Sequence, residues 1–173
     1  MHISFLLPTV IVLLLIIRQD LSSRSVSWPL FPLLAVLGIA LSWLELRSAA
    51  AILKNIGLNA GFLLLQFGLL RLWFLIRTGK GAIIDHAIGK GDLFFLLDAC
   101  CFFSPLNFIL FYLLSLLVSL LLHFVLRSRP AFYGYQGNVP LAGLQAGCLL
   151  LALAVCAIGS IPLTGELWKP LNL

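Results

Sequence analysis

The chain has 173 residues, 62% of them hydrophobic and only 10% charged, with a mean hydropathy of +1.13. An ordinary soluble domain carries about 25% charged residues, and too little polar surface is present here to cover a fold of this length, so a water-soluble globule is excluded. The net charge of +5 comes without any basic cluster interleaved with aromatics, which gives nucleic-acid binding no support.

What remains is one all-α polytopic domain over residues 1–173, embedded in a lipid bilayer. Ile3 to Ile17 is apolar apart from Ser4, Pro8 and Thr9. It lacks a basic leader region and a small-residue cleavage site, so it reads as a retained first membrane helix. Arg18, Gln19 and Asp20 end it abruptly, and the polar run Leu21 to Ser25 follows. Trp28 to Leu46 is a second span, with Trp28 and Trp43 near its ends, where aromatic anchors sit. Glu45 and Arg47 mark an interface, and Ser48 to Lys54 reads as a short connection or a helix start.

A third span falls between Asn55 and Ile76. Asn55, Asn59 and Gln66 on it are expected to face other helices, and the spacing of Gly57 and Gly61 is that of a helix-packing motif. Thr78 to Gly91 is loop-like and holds Gly79, Gly81, Gly89 and Gly91, which reads as a hinge beside a site. Leu93 to Phe103 makes only about 16 Å of helix, against a hydrocarbon core of about 30 Å. The fourth crossing therefore starts upstream, near Ile83 or Ile88, or passes through a thinned or protein-lined region. Ser104 to Asn107 is a turn, Phe108 to Leu126 a full span, Pro130 to Asn138 a polar loop and Val139 to Ile161 the last span.

That count predicts a bundle of six transmembrane helices. With the N-terminus outside, the inner loops hold Arg18, Arg24, Arg71, Arg77, Lys80, Lys90, Arg127 and Arg129, eight of the eleven basic residues; Arg47, Lys54 and Lys169 stay outside. Cytoplasmic loops carry such an excess, so this orientation is favoured over its inverse. Cys100, Cys101, Cys148 and Cys156 all lie in apolar runs without CxxC spacing. Neither a disulfide framework nor a metal site is indicated, no cofactor is called for, and the cysteines read as small buried hydrophobes.

Six acidic residues carry the functional argument: Asp20, Glu45, Asp85, Asp92, Asp98 and Glu166. Asp20 closes the first span and Asp92 opens the fourth, so the predicted topology puts both at the cytoplasmic edge and Glu45 and Glu166 on the other side. Asp98 lies about 9 Å deeper than Asp92 and is rotated from it by roughly 120°. Its expected partners are Gln66 or Gln145. An acid at a membrane edge is disfavoured unless it is paired, hydrated or used. Two carboxylates in a partly dry site share a proton, one acting as base toward water and the other as acid toward a carbonyl. Asp20 with Asp92 is the pair whose place in the chain allows this, although Asp85 also falls on the correct side.

Gly89-Lys90-Gly91-Asp92, a GxGD element followed by an apolar helix, resembles the signature of the intramembrane aspartyl proteases, and the six-span size resembles the type IV prepilin peptidases among them. In that family the first aspartate follows an early helix and precedes a basic residue and a hydrophobic-Pro-Asn element. Asp20, Arg24 and Val26 stand at that spacing, while Ser27-Trp28 departs from Pro-Asn and Phe94 replaces the usual lysine. Asn138 to Gly143 resembles the proline-containing start of the last family helix. The resemblance implies a peptidase-only form with Asp20 and Asp92 catalytic and Gly89, Lys90, Gly91 and Arg24 near the substrate. It also implies a prepilin-like substrate with a short basic leader ending in glycine, in the inner (cytoplasmic) membrane with the site facing the cytoplasm. The competing reading is a non-catalytic polytopic protein, a small transporter subunit or assembly scaffold, in which Asp92 and Asp98 line a proton or cation path.

Overall fold

A computed structural model describes residues 3–23, 25–78, 89–126, 141–159 and 161–165. Among them are six helices and no strand: α1 (Ile3–Ser23), α2 (Leu30–Leu46), α3 (Ala49–Thr78), α4 (Lys90–Ala99), α5 (Pro105–Leu126) and α6 (Leu141–Gly159). Four of them, α1, α3, α5 and α6, are long and apolar enough to cross a membrane, while α2 is a shorter apolar helix. The outward faces are as apolar as the interior, as with Val36, Leu64, Ile76 and Ile158. In water such surface would be buried; in lipid it needs no cover.

The helices alternate in direction, and polar contacts tie each end. At one end the C-terminal turn of α1 and the first turns of α4 and α6 meet. At the other, Glu45 near the end of α2 reaches Leu163 and Thr164 beyond α6, and Asn107 in the first turn of α5 reaches Leu163 and Gly165. The core between them is built from Leu13 and Ile16 of α1, Leu34 of α2, Phe95 and Ala99 of α4, Phe108 of α5, and Ala146 and Leu149 of α6.

Local signals account for most boundaries. The α1 helix tolerates Pro8 within its first two turns, and Thr9 returns its hydroxyl to the Phe5 carbonyl. Past its last turn, the Ser27 N–H donates to Oε1 of Gln19 at 2.8 Å, pinning the link to α2. The α2 helix stops where Arg47 turns left-handed at φ 52° and donates its N–H to the Trp43 carbonyl. The α5 helix opens on Pro105, whose missing N–H is no loss at a first helical position.

Several expectations need revision. Trp28 lies in the turn before α2 and is well exposed. The third helix starts at Ala49, so of the two readings of Ser48 to Lys54 the helix start holds and the third span begins before Asn55. Among the described residues a Cβ at Gly57 or Gly61 would meet nothing within 4 Å, so their spacing marks no close helix approach there, whereas one at Gly38 would come within 2.6 Å of the Phe102 ring. The fourth helix is shorter still than its apolar run. It ends at Ala99, and Cys100 to Phe103 form a tight turn. That turn is held by other helices: Asn59 of α3 donates Nδ2 to the carbonyls of Cys100 and Phe103 at 3.1 and 2.9 Å, and the Ser42 hydroxyl of α2 donates to that of Cys101 at 2.6 Å. Ile83 and Ile88, where an upstream start was expected, lie outside the described residues. Asn59 and Gln66 do face other helices, the latter donating to the Tyr112 hydroxyl at 2.7 Å. Cys100 and Cys101 are buried, Cys148 and Cys156 half-buried, and all four are free thiols.

Candidate active site

The first turn of any α-helix leaves N–H groups that no carbonyl of the same helix can accept. In α6 two of these are claimed by carboxylates from elsewhere. The Ala142 N–H donates to Oδ1 of Asp92 at 2.7 Å, and the Gly143 N–H donates to Oδ2 of Asp20 at 2.6 Å. The acceptors come from 50 and 123 residues earlier in the chain. Adjacent amides stand on Cα atoms about 3.8 Å apart, so the two acids that topology suggested as a pair share one small site. A helix N-terminus favours negative charge through its dipole, which suits it to hold them.

Each carboxylate also occupies space that a side chain would fill. A Cβ on Gly143 would lie 3.0 Å from both Cβ and Oδ2 of Asp20, and one on Gly89 would lie 2.9 Å from Oδ2 of Asp92. The first glycine of the GxGD element thus clears room for its own aspartate. Gly91 has a different neighbour, Phe31 Cζ at an ordinary 3.8 Å.

Asp92 is not the N-cap residue of its own helix. Gly89, in an extended conformation, is the N-cap of α4, and Asp92 is the third helical residue, its N–H bonded to the Gly89 carbonyl. From there its carboxylate engages the Gly89 backbone of its own helix as well as the Ala142 N–H of α6. Asp92 stands one residue ahead of the apolar stretch that begins at Leu93 and outside the four spanning helices. Partial burial pushes its carboxyl up to about 6; the Ala142 N–H works against the rise, the Asp20 charge adds to it, and the Gly89 backbone opposes it. Asp20 is buried at the end of α1.

Of the remaining site candidates, Lys90 is the first residue of α4 and Gly91 follows inside the helix, so this part of the glycine-rich stretch is helical. Arg24, Asp85 and residues 79–88 of the expected hinge lie outside the described residues. Phe94 is exposed with its ring 5.6 Å from that of Phe31. Asp98 is buried with its Oδ2 unpartnered. Among the described residues neither expected bond, to Gln66 or to Gln145, forms: Gln66 is engaged with Tyr112, and Gln145 has no partner. Among the described residues no group of three or more His, Cys, Asp and Glu could hold a metal ion.

The Ala142 and Gly143 amides were missed in the sequence because backbone donors have no residue signature. The available hint was Gly143 itself, a glycine in the opening turn of an apolar helix. No protein-family model matches the chain, and neither the curated proteins nor the solved structures yield a match.

Proposed function

We propose that the protein is a membrane endopeptidase of the aspartyl type that cuts the leader from prepilin-like substrates at the cytoplasmic edge of the inner membrane. The observation that supports this reading is the convergence of Asp20 and Asp92 on neighbouring N–H groups of α6. With one proton between them, the ionised carboxylate takes a proton from water as the water attacks the scissile carbonyl. The protonated one donates to the carbonyl oxygen. Collapse of the tetrahedral intermediate expels the amine, which takes up a proton from the pair. Six crossings with the N-terminus outside belong to the same proposal, α2 adding to the four longer spans and the short α4 passing through a protein-lined region where Asn59 and Ser42 hold the turn that follows it. The alternating helix directions and the eight-to-three distribution of basic residues support it.

The test is co-expression with a substrate that carries a short basic leader ending in glycine ahead of an apolar helix. The wild type is expected to give the shortened product, and Asp20→Asn or Asp92→Asn the uncut precursor. An uncut substrate with folded wild type would sink the proposal. A second reading, a proton or cation path, draws on the buried unpartnered Oδ2 of Asp98. It requires Asp98→Asn to stop ion flux into vesicles while Asp20→Asn leaves the flux unchanged.

A further inference from the structure

Gln145 is fully buried, and among the described residues neither its Nε2 nor its Oε1 has a hydrogen-bond partner. Other buried carboxamides in the bundle have structural work: Asn59 and Asn107 each donate to two backbone carbonyls. An unpaired amide in apolar surroundings is disfavoured, and a leucine there would pack without that penalty. Gln145 therefore contributes no hydrogen bond to the fold. Its place is specific, however. It follows Ala142 by three positions, which puts it one turn deeper on the buried side of α6 that also carries Ala146, Leu149 and Leu153. The Gln145 backbone thus stands about 4.5 Å along the axis from that of Ala142, whose amide holds Asp92.

We propose that Gln145 is a substrate-binding residue that receives one peptide unit of the substrate strand beside the scissile bond. The substrate N–H donates to Oε1, and the substrate carbonyl accepts from Nε2. A peptide unit offers one donor and one acceptor, the complement of a carboxamide. Only an unwound strand has both to offer, since inside a helix each is taken by the fourth neighbour. The substrate class is accordingly a membrane segment that is extended at the cut. This rests on the peptidase reading of the aspartate pair.

The experiment uses the full chain in detergent, wild type and Gln145→Leu, with Gln145→Met as a second variant should the first fail to fold. The substrates are a leader-plus-helix peptide and versions in which each peptide unit flanking the scissile bond is replaced in turn by an ester. The Gln145 variant is expected to keep its folded yield and a Tm equal to or above that of the wild type, and to lose about tenfold in kcat/KM on the all-amide peptide. One ester is expected to cost the wild type a similar factor and the variant nothing further, the non-additivity of groups that touch. A variant as active as wild type overturns the inference, as do losses that multiply or a Tm that falls along with activity. If the wild type cuts none of the peptides, the peptidase reading fails and this inference with it. An active wild type beside an unaffected variant removes the inference alone.

Discussion

At the end of the bundle where α2 stops, one carboxylate meets three donors. Glu45 accepts the Leu163 N–H at 3.3 Å, the Thr164 N–H at 2.9 Å and the Thr164 hydroxyl at 2.6 Å. Asn107 fastens the same segment by donating to the carbonyls of Leu163 and Gly165 at 2.9 and 2.6 Å. At the other end two carboxylates crowd adjacent amides of one helix start. The first arrangement spreads a single charge over surplus donors, which is how a fold closes a chain end. The second sets two like charges side by side, which a purely structural site has no reason to do and which invites them to hold one proton between them. Clasp and pair are built from the same chemistry, and the number of carboxylates brought to one place separates them.

The sharpest break of that contrast is a double mutant. If Asp20 and Asp92 act on one water, each Asn variant is expected to lower cleavage by roughly 10²–10⁴-fold or more. The Asp20→Asn, Asp92→Asn double variant should then be no worse than either, because groups acting as a unit are not additive. Single-turnover cleavage of a pilin-like peptide at matched folded concentration measures it. Two losses that multiply would show acids working independently.

Next in size is the effect of filling the space that the glycines leave. Gly143→Ala places a methyl 3.0 Å from the Asp20 Cβ, the root of the side chain, so the aspartate or the helix must shift. The neighbour must give by a few tenths of an ångström, a fraction of the 1 Å displacement that costs about 10²-fold at a catalytic group, so a loss of about tenfold in kcat/KM is expected at near-normal folded yield. Gly89→Ala meets only the carboxylate end of Asp92, which can rotate at the expense of its bond to Ala142, so a smaller loss is expected. The reverse order would mean that the α6 start does not set the geometry of the pair.

The far end predicts the opposite phenotype. Glu45→Ala strips the acceptor from three donors, two of them backbone amides, and is expected to lower stability by about 2 kcal/mol or more. The cleavage rate per folded molecule should stay within about twofold of wild type. Thermal unfolding in detergent and a cleavage assay on the same preparation separate the two quantities. A Glu45 variant that folds normally but does not cleave would erase the distinction between clasp and pair.

How far the sequence could carry this differs between the ends. Long apolar runs closed by charges mark α1, α5 and α6 because membrane insertion is itself a local, compositional event. Asp20 and Asp92 were legible as neighbours through topology, since a count of crossings places chain ends without any knowledge of contacts. The short α4 was not legible, because its stop depends on Asn59 and Ser42 holding the carbonyls of the turn that follows. Gly57 and Gly61 had the right spacing and the wrong surroundings, while Gly38, without a motif, is the glycine on which Phe102 packs. Glu45 was assigned only to a membrane side, since its partners sit more than 100 residues away and are backbone groups.

The smallest expected effect is a titration, and it tests the pair without reference to cleavage. Burial and the charge of Asp20 hold the Asp92 carboxyl near 6, above its usual 3.8. A carboxyl raised on folding binds its proton more tightly in the folded state. Its contribution to stability is therefore fully present below about 3.8 and is lost as pH rises through about 6. Two consequences follow for the wild type in detergent at pH 7, where Asp92 is largely ionised at a cost to the fold. Asp92→Asn keeps an oxygen for the Ala142 N–H and sheds the buried charge, so its Tm should exceed that of wild type at pH 7 and the gap should close toward pH 4. Asp20→Asn removes the like charge, so the Asp92 carboxyl should titrate at a lower pH than in wild type while staying above 3.8 because its burial is unchanged. Infrared absorption of the protonated carboxyl, followed against pH and assigned by its disappearance in Asp92→Asn, reads both the position and the shift. A midpoint that does not move on Asp20→Asn would mean that the two acids do not feel each other across the α6 start, and a shared proton would then have no physical basis.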